Sequence, residues 1–398
     1  MMFAKQMRAP EASAEQTFRV KLLEDPEQLV AWARQWRSLE DSGRGSGGIF
    51  QSYDWLRPMM ALPDRQAVVL AVEDEQGPAL VAPFCVASFG GLRVLEWLGE
   101  PMLAYGDLLA RADVDVAGGF AAALAFLRRS GKRLDAVHLR KLREDALILP
   151  LLQKMGLPVA SGTAPFVDLS AFADFDAFLA SRNKRSIKGY RRRRRRLEEE
   201  GEVRFLLHRG GPEAQALGRE TLALKLEWMK VQGRISRTFS SSERLEALIA
   251  GLGEPATGAC VSGLFLKDRP LALEIGFLRN DRYFSFIGAI DLDFAAYSPG
   301  NLQIMDTLRW CFQQGVRTFD FLPPDSDYKR SWATGSLGLG DCCFALTPAG
   351  RLYSGLYVKS LYPLLVRAQA GAPSVLRGLS SFWLTRQGEK PSAGTSGG

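Results

Sequence analysis

Only two histidines, His138 and His208, occur in 398 residues. That count excludes a His-rich metal site. A histidine-centred triad would have to use one of them, and both lie in short strand-like runs, Leu134–Leu139 and Val203–His208. Both read as structural, so proton transfer falls to carboxylates, tyrosine, lysine or the backbone. Cysteine is also sparse. The five residues Cys85, Cys260, Cys311, Cys342 and Cys343 are odd in number and contain no Cys-x-x-Cys pair. Neither a disulfide framework nor a zinc site is indicated, and a reducing, cytoplasmic compartment is expected. No uncharged apolar run reaches the roughly 18 residues that a spanning helix needs, so no transmembrane segment is expected. Met1–Thr17 mixes Lys5, Arg8, Glu11 and Glu15 and lacks the apolar centre of a secretory signal.

What is present describes a globular chain, with 46% apolar and 24% charged residues. Its length exceeds what one core usually organises, which predicts two domains. The formal net charge is +7, and nearly all of the excess sits in one segment. Between Arg182 and Glu202 stand ten basic residues (Arg182, Lys184, Arg185, Lys188 and Arg191 to Arg196) against Glu198, Glu199, Glu200 and Glu202. Ile187, Tyr190 and Leu197 give this segment a thin apolar seam, and Gly201 ends it as a helix. Arg194, Arg195 and Arg196 precede Glu198, Glu199 and Glu200 by four, so three arginines can be neutralised along the helix. The remaining cations crowd its N-terminal part, where the macrodipole disfavours them. They suit either a solvated face or an anionic partner: nucleotide phosphates, a nucleic acid or an acidic membrane surface. Tyr190 is the one aromatic in the run, which argues against single-strand stacking as a primary role.

Periodicity predicts an α/β alternation in both halves. In the first, strands at Phe18–Leu23, Ala67–Glu73, Ala79–Ala87, Leu92–Leu98, Leu134–Leu139 and Phe166–Leu169 alternate with helices marked by Leu29, Trp32, Trp36 and Leu39, by Val116–Arg129 and by Asp145–Met155. In the second, helices are predicted at Phe172–Leu179, the arginine-rich run, Glu213–Gln232, Ser242–Leu252 and Pro299–Gln314. Strands are predicted at Val203–His208, Ala259–Lys267, Leu271–Leu278, Tyr283–Ile290, Thr318–Leu322 and Cys342–Leu346. A faint echo links the halves: a helix, Gly131-Lys132-Arg133 and a strand against a helix, Gly315-Val316-Arg317 and a strand. The expected organisation is a disordered 1–16, domains at 17–170 and 171–387, and a disordered tail at 388–398.

Three places could carry chemistry. Ser298-Pro299-Gly300-Asn301 is a helix start, with Ser298 as N-cap and Pro299 at the first helical position. Its free amides make it an anion site. In Pro270–Phe277, alternation puts Leu271, Leu273, Ile275 and Phe277 on one face and Ala272, Glu274 and Gly276 on the other. Glu274 is then either a general base raised by burial or half of a buried salt bridge. Asp320 lies between Phe319 and Phe321 near a strand end. The stiff loop Pro323–Trp332 follows it, where Lys329 could steady a negative charge and Trp332 could stack on a ligand.

Tyr297-Ser298-Pro299-Gly300-Asn301-Leu302, Phe319-Asp320-Phe321-Leu322 and Tyr328-Lys329-Arg330-Ser331-Trp332 together resemble the signature of the CelD/BcsL-like acetyltransferases, a branch of the GNAT superfamily. Phe50-Gln51-Ser52-Tyr53-Asp54-Trp55-Leu56 resembles that family's opening motif, and the likeness spans about residues 17 to 350. The resemblance implies a mixed-sheet α/β fold of two tandem GNAT-like domains, as in the related FemABX ligases. It implies direct transfer from acetyl-CoA or another acyl-CoA to an amine or hydroxyl, on an acceptor linked to sugars or exopolysaccharide synthesis. The catalytic candidates are Glu274, which rests on the strand alternation, and Asp320 and Lys329, which the resemblance implies. Under it Tyr283–Ile290 is the splayed strand, Ile287 and Gly288 meet the thioester, and Tyr297, Ser298, Pro299, Gly300 and Asn301 seat the CoA pyrophosphate. Asp291, Tyr328, Arg330, Trp332, Trp55, Tyr105 and Asp107 stand on the acceptor side. Residues 291–300 depart from the glycine-rich phosphate loop of the superfamily, holding only Gly300. Two other readings remain. One is a FemABX-like transferase using aminoacyl-tRNA. The other is an inactive accessory protein resting on the inner face of an anionic membrane through Arg351, Lys359, Arg367, Arg377 and Arg386.

Overall fold

The computed structural model describes residues 17–46, 48–154, 159–234 and 236–361. The expected disordered ends, 1–16 and 388–398, and the basic residues Arg367, Arg377 and Arg386 lie outside them. Fourteen strands form one mixed sheet: β1 (Arg19–Leu23), β2 (Gly43–Arg44), β3 (Arg65–Asp74), β4 (Gly77–Phe89), β5 (Leu92–Trp97), β6 (Leu109–Arg111), β7 (Ala136–Arg143), β8 (Val159–Asp168), β9 (Val203–Arg209), β10 (Ala259–Leu266), β11 (Arg269–Arg279), β12 (Arg282–Ile290), β13 (Thr318–Asp320) and β14 (Gly335–Ala345). The order along the sheet is β1-β3-β4-β5-β7-β14-β8-β13-β12-β11-β10-β9, with β2 and β6 attached beside β4.

The internal echo is visible in this topology. Helix Val116–Arg129 leads into β7, which pairs parallel with β5, and helix Pro299–Gln313 leads into β13, which pairs parallel with β12. The middle of the sheet is less predictable. β14, from the end of the second half, lies antiparallel between β7 and β8, while β8 also pairs with β13. The residue-170 boundary falls in the Leu169–Ala171 turn, yet the sheet runs on across it.

Two apolar layers sandwich the second half. Leu273, Ile275 and Phe277 of β11 and Val261 of β10 share a core with Leu217 and Leu222 of helix Gly211–Val231 and with Leu248 and Leu252 of helix Ser242–Gly253. Trp55, from the first half, packs edge-on against Phe277 and Phe286 in this layer, at 5.2 and 5.5 Å. On the opposite face, Cys260, Ala272 and Tyr283 meet Leu302, Met305 and Leu308 of helix Pro299–Gln313, and the arginine helix (Lys184–Glu200) adds Ile187 and Leu197. The predicted alternation along β11 therefore holds at Leu273, Ile275 and Phe277 but not at Leu271, which packs in the opposite layer beside Ala272, and Glu274 faces the Pro299–Gln313 layer. All five thiols are free. Among the described residues no helix is long and apolar enough to cross a membrane.

Candidate functional site

The site begins where β12 and β13 part. Their parallel pairing covers Arg282↔Thr318, Tyr283↔Phe319 and Phe284↔Asp320. From Ser285 to Ile290, β12 keeps its β11 neighbour but, among the described residues, has no partner on the other side. Chain groups on that free edge are open to a ligand. Gly288 lies on it, exposed, and a Cβ there would meet nothing within 4 Å. Gly288 sits directly across from Glu274, so open space adjoins that carboxylate's face of the sheet. Lys225, from helix Gly211–Val231, donates to the Gly288 carbonyl at 2.9 Å.

Glu274 is 3% exposed. Its two oxygens accept from the Tyr283 hydroxyl at 2.7 Å and the Ser285 hydroxyl at 2.5 Å. A bulge between Ile275 and Gly276, opposite the extra residue Phe286, brings both hydroxyls to the same carboxylate. Burial raises the Glu274 pKa, opposed by those two bonds and by the charge of Lys329. Of the two sequence readings, the buried salt bridge does not form: among the described residues no arginine pairs with Glu274.

Lys329 is 8% exposed and donates to the carbonyls of Leu322 at 2.7 Å and Pro324 at 2.9 Å. Burial pulls its pKa down to about 8, against the opposing effect of Asp320 and Asp325. It stands on a short helix, Asp327–Trp332, where the sequence predicts only a stiff loop. Leu322 itself is left-handed, with φ 59°, an unfavourable state for a branched side chain. It is held from both sides: its amide donates to Asp320 at 2.9 Å and its carbonyl accepts from Lys329. Asp320 is fully buried and accepts besides from Tyr105 at 2.8 Å and Arg282 at 3.1 Å. Its oxygens are thus occupied in joining the two halves and fixing the lysine loop.

The helix start at 298–301 forms as expected, with one difference. Ser298 is the N-cap residue in a left-handed conformation, φ 53°, and its side chain makes no capping bond. Its carbonyl instead takes the Asn301 and Leu302 amides. Asn301 accepts from the Trp332 indole at 2.9 Å, and Trp332 stacks on Tyr190 of the arginine helix at 5.5 Å. Trp332 is 1% exposed, so it holds the turn in place and offers no open face. Tyr297 hydrogen-bonds Glu200 and lies under Arg196 at 5.4 Å. Of the three arginine–glutamate pairs expected along that helix, Arg194–Glu198 forms at 3.2 Å; Arg196 and Glu200 turn to Tyr297 instead.

The remaining candidates divide. Tyr328 is 50% exposed, and burial together with the Glu274 charge pushes its hydroxyl up to about 12. Arg330 is exposed and pairs with Asp325 at 2.8 Å and with Asp327. Asp291 is held by Arg269 at 2.6 Å. Trp55, Tyr105 and Asp107 are buried in the core. Asp107 accepts from Ser46, Leu108, Leu147 and Ile148, which fixes loops of the first half. Tyr283, Ser285 and Lys225 were not singled out by sequence. Tyr283 and Ser285 stand two apart on the strand predicted at Tyr283–Ile290, but neither its pairing with the Glu274 strand nor the bulge that aims both hydroxyls at it has a sequence mark.

The first half has a corresponding fork, closed by charge. β5 and β7 pair only at Val94↔Ala136 and Leu95↔Val137. Beyond that, Arg140 bridges Glu100 at 3.0 Å and Glu96 at 3.7 Å, and Lys141 reaches Glu100 at 3.5 Å. Burial would raise the Glu100 carboxyl, but Arg140 and Lys141 hold it down at about 2.

Residues 183–330 match the acetyltransferase (GNAT) domain family. That stretch runs from the arginine helix through β13 to Arg330, enclosing the open fork. Among solved structures the chain is similar to FemX, at 12% identity over 77% of this chain and 95% of that one, with a TM-score of 0.53. It is also similar to the C-terminal domain of a putative lysylphosphatidylglycerol synthetase from Agrobacterium fabrum, at 11% identity over 86% and 97%, with a TM-score of 0.52. A tandem GNAT protein from the clavulanic acid biosynthesis pathway aligns over 83% of this chain and 99% of its own, at 10% identity and a TM-score of 0.48. No curated protein matches the sequence. At these identities the likeness is one of fold, and the expected mixed α/β, GNAT-like architecture stands.

Proposed function

We propose that the protein transfers an acyl group from an acyl-CoA to an amine or hydroxyl of a small or sugar-linked acceptor, with the reaction in the fork of the second half. The observation that carries this reading is the free edge of β12 at Ser285–Ile290, open above Gly288 and flanked by buried Glu274 and Lys329. Among the described residues the corresponding fork of the first half is not open in this way, being bridged by Arg140 and two glutamates. The unpaired edge at Ile287 and Gly288, where Lys225 already occupies the Gly288 carbonyl, suits an extended thioester arm, and the Gly300 amide at the start of helix Pro299–Gln313, in a turn stiffened by Trp332, suits its phosphates.

In transfer, the acceptor nitrogen or oxygen bonds to the acyl carbon, the carbon–sulfur bond breaks and the acceptor loses a proton. Glu274 is too buried to reach a substrate freely, but Ser285 is half-buried and already donates to it. The acceptor proton passes to the Ser285 oxygen as the serine proton moves to Glu274. Lys329, cationic below about pH 8, faces the charge that develops on the thioester oxygen and the departing sulfur. The proton held by Glu274 returns through Ser285 to the departing sulfur and completes the CoA thiol. Tyr328, half exposed next to Lys329, supplies a ring and a hydroxyl at the acceptor side.

The test combines calorimetry with acetyl-CoA and thiol release over a panel of amines and amino sugars. Wild type should bind acetyl-CoA and release thiol with at least one acceptor, and Glu274→Gln should bind equally and release none. No binding at millimolar acetyl-CoA would sink the proposal.

A further inference from the structure

A groove of about 1030 Å³ runs along the arginine helix on the flank away from Tyr297, walled by helix Phe175–Ser181 and by Met305 and Arg309 of helix Pro299–Gln313. Lys184, Lys188, Arg191 and Arg195 line it. Their spacing of four, three and four residues places them in a single stripe about 16 Å long. All four are exposed, and among the described residues none makes an ion pair. The other two cations, Arg194 and Arg309, are drawn to Asp306 behind the groove. Asp176 and Glu198 are the acids on its wall, and Glu198 is taken by Arg194. Like charges this close repel along a helix, so the stripe is poised for an anionic ligand.

We propose that this groove holds the phosphodiester backbone of a double-stranded nucleic acid, without regard to base sequence. Three features choose that occupant among polyanions. The site is concave, so it receives a ridge of phosphates, whereas a flat bilayer would touch only its rims. None of the exposed large apolar residues, Val30, Leu206, Leu226, Val231, Tyr328 and Leu352, lines it, which leaves nothing to insert among acyl chains. No aromatic residue lines it either, so a single strand would find no stacking platform, while a duplex already presents its phosphates outward. None of the fork or turn residues, Glu274, Ser285, Gly288, Lys329 and Ser298 to Asn301, lines the groove, so it is separate from the acyl-transfer fork. The two readings can fail independently.

Fluorescence anisotropy with labelled 20-base-pair RNA and DNA duplexes provides the test. Micromolar binding is expected at about 50 mM salt, with a log–log salt slope near −3.6 for four phosphate contacts. The variant Lys184→Gln/Lys188→Gln/Arg191→Gln/Arg195→Gln should lose at least tenfold in affinity. A control that removes four other exposed cations, Arg19, Arg34, Arg57 and Arg129, should bind as wild type does. Absent duplex binding, equal loss in both variants, or binding to anionic vesicles in place of duplex would each overturn the proposal.

Discussion

Replacing Lys329 by methionine separates what its charge costs the fold from what it does for the reaction. In the folded chain its pKa is about 8, against an ordinary 10.5. A difference near 2.5 units corresponds to about 3 kcal/mol at 1.36 kcal/mol per unit. The sign follows from which form is disfavoured. Above about pH 10.5 the amine is neutral in both states and burial carries no charge penalty. As pH falls, the unfolded lysine takes up its proton first, so stability declines until the folded group protonates near pH 8, and below that the penalty is constant. The stability of wild type relative to Lys329→Met should therefore rise by about 3 kcal/mol between pH 7.5 and 10.5. At pH 7 the variant should lie within about 2 kcal/mol of wild type, because relief of the buried charge offsets the two carbonyls left unpaired at Leu322 and Pro324. Urea denaturation at several pH values reads this directly, without knowledge of the acceptor. Thiol release from acetyl-CoA should fall in wild type as pH rises through about 8 and be lost in the variant. A stability difference flat across that window would refute the perturbed lysine. A wild-type rate that climbs through pH 8 would refute its role as a cation.

Glu274→Gln should melt no lower than wild type at pH 7, since a carboxyl with a raised pKa loses stability on ionising. Thermal scans check this, and the wild-type rate should show an acid limb above the ordinary carboxylate range. Gly288→Val should fold normally, because a Cβ there meets nothing, while its methyls fill the fork. Calorimetry should show acetyl-CoA binding weakened at least tenfold, and unchanged binding would mean that the donor lies elsewhere. Tyr105→Phe removes one of the partners of fully buried Asp320 and should cost about 1–3 kcal/mol in urea. A smaller loss would show that Arg282 and the Leu322 amide suffice.

Much of the second half was legible because its signals are local. Pro299 after Ser298 starts a helix, Gly201 ends one, and alternation along β11 sets Glu274 against Leu273 and Ile275. The strand β14 was legible only from Cys342, because Gly335, Gly338 and Gly340 look like loop. The structure shows why glycine is there: a Cβ at Gly335 would stand 2.7 Å from the Phe166 ring, and one at Gly338 would stand 2.6 Å from Glu144. Likewise Trp55, Tyr105 and Asp107 carry the residue types of a binding site but spend them on the core, on Asp320 and on loop amides.

Composition and pattern by themselves determined the α/β class, the helix start at Pro299 and the concentration of positive charge in one helix, all properties of neighbouring residues. Tertiary structure decided which fork is open and which is closed by ions, and whether Glu274 meets hydroxyls or an arginine. It also set the pKa of Lys329 and gathered four cations along one groove. Those outcomes depend on burial and on pairing between residues far apart in the chain, where desolvation and strand register, absent from any local stretch of sequence, set the chemistry.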